Sequence, residues 1–335
     1  MAGGSGRRRV TSADVAREAG VSRATVSYVL NATPHQKIPE VTRGRVWAAA
    51  DRLGYAPSAA ARSLRTGRSN IVLGLLPDWP IGHVLGRLVQ QLTNAFAEHG
   101  LTFLVHSSAH STRPLREIWK TVTPAAVLAL GEFPEAEAGA MRAAGVQVVA
   151  AVHGSARHPH RPALMAEEPI GAAQARHLVA SHHRLGYACP DLGRLGNLAR
   201  SRLDGVRKVC AELGIPEPDV RAVPLEPDGA VEAVRAWLGA DPPVTGICAF
   251  NDEVALSVLL ALRYLGLRAP QNLSVIGVDD IPGAALAQPP LTTVVRDTDT
   301  VARRLARRIV DALDGEQVPA DPVQDLLRVQ VRVSA

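Results

Sequence analysis

At 335 residues, 47% hydrophobic and only 4% aromatic, the chain has room for a small appended module and a core of two subdomains. Its charge is uneven: residues 1–70 hold 12 Lys and Arg against 4 Asp and Glu, whereas the remainder holds 25 against 28. Basic charge gathered at one end is the footprint of a nucleic-acid module and argues against a generally basic enzyme, while the absence of any run near the ~20 apolar residues of a membrane span argues against insertion.

Val10 to Asn31 (VTSADVAREAGVSRATVSYVLN) predicts two short helices joined by a glycine turn. Thr11 or Ser12 stands at the N-cap, Val15, Ala16 and Ala19 share one face, and Gly20 ends the helix. Val21 then reads as an apolar plug beneath the turn, and Ser22 as the cap of a second helix from about Arg23 to Leu30. Ala16, Val21, Val26 and Val29 would fill the angle between the helices, leaving Arg23, Ala24, Thr25, Ser27 and Tyr28 open to a partner. An ordinary helical hairpin shows the same pattern. In a helix-turn-helix unit the second helix enters the major groove, and its early residues, here Arg23, Ala24 and Tyr28, meet base edges. A third helix is predicted over Pro39 to Leu53, with Val41, Val46, Ala49, Ala50 and Leu53 inward and Gly54 as its stop. Pro57, a capping Ser58 and the run Ala59 to Leu64 then predict a helix too short to stand alone, followed by a flexible TGRSN joint.

DVAREAGVS, ATVSYVLN, TR in the third helix, GYAP and AARSL, in that order, resemble the headpiece and hinge of the LacI/GalR family of bacterial transcription regulators. The resemblance implies a DNA-binding headpiece over residues 1–56, a hinge helix and linker over 57–70, and Thr11, Ser22 and Asn31 as further DNA contacts. It also implies a hinge that folds only on DNA, within a dimer, with Leu64, flanked by Ala61 and Arg62, wedged into the minor groove. Such a wedge unstacks a base step and creates a bend that enlarges the interface. On its residues alone, the alternative reading of Leu64 is a linker residue resting on the core.

Beyond residue 70, strand and helix signals alternate. Strands are predicted at 71–76, at LTFLVHS, at 126–130, 146–152, 185–188, 246–250 and 274–278, and at the closing LLRVQVRVSA, with a helix carrying Val84, Leu88, Leu92 and Phe96 after the first. This is the rhythm of doubly wound parallel sheets. The resemblance implies an effector domain over 71–335 like the periplasmic sugar-binding fold. Its N-lobe would cover about 71–170 and 297–324, its C-lobe about 171–296 and 325–335, with a cleft lined by strand-end loops.

Candidate effector residues are Asp78 in LLPDWP, Trp79 as an aromatic platform or an exposed lip, Arg202 in SRLDG, Asn251 after GICAF, and Asp279 after SVIGV. Arg202 and Asp279 fit ligand contact or a mutual ion pair. Asp252 and Asp280 read as helix caps. The family's V-x-x-D-N segment is replaced by LMAEEPIG, with Ala166 in the place of the Asp, and few aromatics are available to stack on a sugar. These departures put a simple sugar effector in question.

His153, His158 and His160 lie in a loop rich in Pro and Arg without ligand-spaced carboxylates, so no metal is expected; His182-His183 reads as a helix end that favours cations. Cys189, Cys210 and Cys248 are widely spaced in apolar contexts, as buried reduced thiols of a cytoplasmic protein are. No GxxxxGK, GxSxG or HExxH occurs, and neither an enzyme nor a cofactor is expected. No leucine heptad follows the last strand, so a homodimer on a pseudo-palindromic DNA operator is expected, with a small-molecule effector. The alternatives are an effector-independent regulator and a small-molecule binder with a vestigial DNA end.

Overall fold

The computed structural model describes residues 10–30, 36–55, 69–79, 81–107, 114–131, 134–152, 166–190, 192–316 and 326–335, so that Asn31, Ala61, Leu64 and the histidines 153, 158 and 160 lie outside it. Two compact units divide between Ser69 and Asn70.

The first unit is three helices, α1 (Ser12–Ala19), α2 (Arg23–Leu30) and α3 (Glu40–Leu53). Thr11 caps α1 in a reciprocal box with Asp14, and Gly20 and Gly54 end α1 and α3 at φ 63°, a left-handed conformation that costs glycine little. Val15, Ala19, Val26, Val29, Val46 and Ala49 form a closed miniature core. Val41, predicted to face inward, is instead 78% exposed. It sits five residues before Val46, about 140° around the helix, so the face that buries Val46 turns it to solvent.

The second unit holds two sheets. The first, ordered β2-β1-β3-β4 and wholly parallel, uses β1 (Ile71–Leu76), β2 (Thr102–Ser107), β3 (Ala126–Ala129) and β4 (Val148–Ala151). Leu88, Leu92 and Phe96 of α4 (His83–Glu98) cover one face, and Trp119 of α5 (Leu115–Val122) and Met141 of α6 (Glu135–Ala143) cover the other. The second sheet is ordered β10-β9-β8-β7-β5-β6. Its strands are β5 (Leu185–Cys189), β6 (Asp219–Ala222), β7 (Gly246–Ala249), β8 (Ser274–Val278), β9 (Thr292–Arg296) and β10 (Leu327–Gln330), parallel except where β10 runs against β9. Its helices are α7 (Glu168–Leu178), α8 (Leu192–Glu212), α9 (Pro227–Leu238), α10 (Asp252–Tyr264) and the short α11 (Pro282–Leu286). After Arg296 the chain returns to the first sheet, where Val301, Leu305 and Ile309 of α12 (Thr298–Leu313) join the core of α4.

β6 and β9 were not expected from sequence. β6 is a short edge strand of alternating half-exposure with no apolar run. β9 begins with Thr292 and Thr293, both fully buried; Thr292 is satisfied by Ser334 and the Ala335 carbonyl, and Thr293 by Asp252. A polar pair behind Pro289-Pro290 reads locally as loop. The closing residues are therefore structural, with Ser334 bridging to the Val275 backbone.

All three cysteines are buried and free, and burial pushes their thiols up. His182 corrects the reading of a cation-favouring helix end. Burial, then the neighbouring His183 and His177, lower its pKa, and its Nδ1 meets the Thr245 hydroxyl at 3.0 Å. Among the described residues no helix is long and apolar enough to cross a membrane, and no cluster of His, Cys, Asp or Glu could hold a metal ion.

Candidate functional site

Two surfaces carry the candidate residues. On the first unit, Ser22 Oγ accepts the Thr25 amide at 3.0 Å and so fixes the start of α2. Val26 and Val29 anchor the helix inward, while Ser22, Arg23, Ala24 and Tyr28 are exposed and Thr25 and Ser27 half-buried. Arg23 with Ser27, and Ala24 with Tyr28, form two i,i+4 rows along the outward face. Thr11 is placed differently. Its hydroxyl donates to Asp14 Oδ2 at 2.7 Å, so this side chain is engaged in capping.

On the second unit, a cavity of about 270 Å³ lies between the lobes, at the carboxyl ends of the strands. Trp79, Arg202, Asn251 and Asp279 line it, together with apolar residues from both lobes such as Leu88, Leu130, Ile170 and Leu198. Asp78 does not line it, which corrects the reading from sequence. The Trp79 amide donates to the Pro77 carbonyl at 2.7 Å, and this tight turn sends Trp79 into the lining while Asp78 is exposed.

The polar end of the cavity rests on a close helix crossing. A Cβ added at Gly171 of α7 would stand 1.8 Å from the Arg202 carbonyl, and one at Gly205 of α8 would stand 1.9 Å from the Glu168 carbonyl. α7 is also tied to the ends of β7 and β8, where Gln174 Nε2 donates to the carbonyls of Ala249 (2.7 Å) and Ile276 (3.1 Å). This contact places Glu167, just before α7, beside Arg202. Arg202 Nε donates to Glu167 Oε2 at 2.7 Å, its Nη1 to the Phe250 carbonyl at 2.6 Å, and its guanidinium lies 4.6 Å from the Phe250 ring centre. Arg296 reaches the other oxygen, Glu167 Oε1, at 3.2 Å and the Ala166 carbonyl at 2.9 Å. Burial alone would lower the pKa of Arg202, but Glu167 and Asp279 more than offset that and hold it raised. Asp279 is raised by burial, with Arg202 opposing.

Sequence reasoning missed Glu167, Arg296 and Phe250. The only signal was the EEP doublet, read as a lost carboxylate at Ala166; one residue on, Glu167 supplies a buried one. Two cap readings are also corrected. Asn251 caps α10 through the Val254 amide, whereas the carboxylate of Asp252 crosses to the Thr293 hydroxyl (2.6 Å) and the Ile281 amide (2.9 Å), and burial pushes its pKa up to about 7. Asp280 pairs with Arg332 at 2.6 Å. Asp279 and Asp280 hold φ of 106° and 52°, a strain of about 1–3 kcal/mol each, maintained by the Val294 carbonyl, the Thr293 hydroxyl and Arg332.

Residues 11–58 match the family model of bacterial regulatory proteins of the lacI family, and residues 175–335 match a periplasmic binding protein-like domain. The HTH-type transcriptional repressor PurR of Photorhabdus laumondii is 28% identical over 327 residues, covering 94% of this chain and 93% of the relative. Among solved structures, the Lac repressor bound to ONPG in its repressed state superposes with a TM-score of 0.78 at 23% identity, covering 98% of this chain and 100% of the other. The Lac repressor dimer bound to operator and the anti-inducer ONPF gives 0.78 at 22% identity, covering 98% and 99%.

Proposed function

We propose that this chain, similar over residues 11–58 to bacterial regulatory proteins of the lacI family, is a cytoplasmic, sequence-specific transcriptional repressor that binds a pseudo-palindromic operator as a homodimer. The observation that carries this reading is the outward face of α2. A helix held by a cap and two buried valines presents Arg23, Ala24 and Tyr28 to a partner, on a segment with an excess of eight basic side chains. Residues 1–56 act as the headpiece, 57–70 as the hinge with Leu64 as its wedge, and 71–335 as the regulatory core. The protein works by binding, not by catalysis.

A small molecule in the interlobe cavity regulates it. Trp79 and Leu130 stand on one side of that cavity and Phe250 and Asn251 on the other, so the affinity of a bound ligand depends on lobe separation. A ligand with different affinity for two lobe arrangements shifts their populations, and by linkage the affinity for DNA shifts equally.

Selection of bound duplexes from a random library, with the full-length protein at near-physiological salt, tests this. A two-fold symmetric motif is expected, with half-sites set by the dimer. Binding with no motif, erased by moderate salt, would overturn the proposal.

A further inference from the structure

We propose that the interlobe cavity selects a small molecule with an apolar body and a cationic or N–H-donating head, and discriminates against carboxylates and phosphates. The inference rests on the regulatory reading above and names the ligand class of the same site. The two arginines of the lining are already engaged by the protein itself, although the buried Nε of Arg296 has no hydrogen-bond partner among the described residues. Both oxygens of Glu167 are taken, one by Arg202 and one by Arg296, and further guanidinium donors are directed at the carbonyls of Phe250 and Ala166. An anionic ligand would have to displace Glu167 from a pair in which all three side chains are at least nine-tenths buried.

Asp279 stands in contrast. Its carboxylate accepts no hydrogen bond among the described residues and is held into the cavity lining by a left-handed backbone. Glu253 lines the same cavity. Among the described residues, with His83 neutral, Arg202 and Arg296 set against Glu167, Asp279 and Glu253 leave the lining an excess of negative charge that an ammonium or amidinium group neutralises on arrival. Much of the rest of the described wall is apolar, including Ile81, Leu85, Leu130 and Leu195, with His83, Asn251 and Thr298 as further polar groups. At about 270 Å³ the space is just below the ~300 Å³ at which drug-sized pockets begin, which suits one ring with a short side arm.

Three probes of nearly one shape, 2-phenylethylamine, 2-phenylethanol and phenylacetate, separate head from body in calorimetric titrations of the full-length protein. The amine is expected to bind roughly ten-fold or more tightly than the alcohol, as a charge-assisted hydrogen bond predicts, and the acid most weakly. Asp279→Asn should remove most of the amine's advantage while sparing the alcohol. Glu253→Gln, an exposed position that does not bear on folding, should reduce it to a smaller degree. Phenylacetate binding as tightly as the amine, an amine preference unchanged in both variants, or no amine binding at millimolar concentration would each overturn the proposal. Operator selection on the same preparation keeps the two readings apart: a symmetric motif without amine binding removes only the ligand class, and amine binding without a motif removes only the repressor reading.

Discussion

The outward face of α2 and the polar end of the interlobe cavity are built in opposite ways. In α2, each exposed side chain is placed by neighbours within four residues: Ser22 fixes the first turn through Thr25, and Val26 and Val29 set the face. In the cavity, Glu167 meets Arg202 35 residues away in the chain, and Arg296 meets the Ala166 carbonyl across 130. The first construction leaves function and stability separable, because exposed side chains can change without disturbing the core. The second joins them, since the groups that shape the ligand site also hold α7 against α8.

The sharpest way to break this comparison is Glu167→Ala, which strands two buried guanidinium groups. Urea unfolding should show a loss of about 3–5 kcal/mol, and a loss near zero would mean that the pair is not integral to the core. Gly171→Ala should cost about 1–3 kcal/mol by forcing apart a helix crossing with no room for a Cβ, and it should weaken cavity binding in the same preparation. Arg23→Ala should weaken operator binding by about 1–3 kcal/mol, as loss of a base contact predicts, with an unchanged melting temperature. A fall in both would show that α2 is coupled to its core after all.

The smallest effect concerns pH. Asp252 is fully buried with its pKa raised to about 7 by burial, so the folded state holds this proton more tightly than the unfolded one. Its contribution to stability is therefore full in acid and is lost as pH rises through about 7. The fall in melting temperature between pH 6 and 8 should be shallower in Asp252→Asn than in the parent chain, and parallel profiles would assign the titration elsewhere.

The ends of α1 and α2, the buried face of Val15, Ala16 and Ala19, and the run of β1 were legible from the sequence, because caps, glycine stops and apolar periodicity are local signals. Val41 shows where such reasoning stops. Its apolar character was plain, but which face of α3 meets the other helices was set by packing. β9 was hidden because its buried threonines are satisfied by Ser334, Ala335 and Asp252, residues about 40 positions away. Asp252 looked like a cap for the same reason: an Asp after a strand carries no local mark of a partner in another strand. By itself the sequence determined the helix-turn-helix segment, the alternating α/β plan and the concentration of basic charge. Only the tertiary structure decided that Glu167 pairs with two arginines and that Asp279 meets the cavity without a hydrogen-bonding partner among the described residues, since ion pairing depends on distance in space and the chain records only distance along itself.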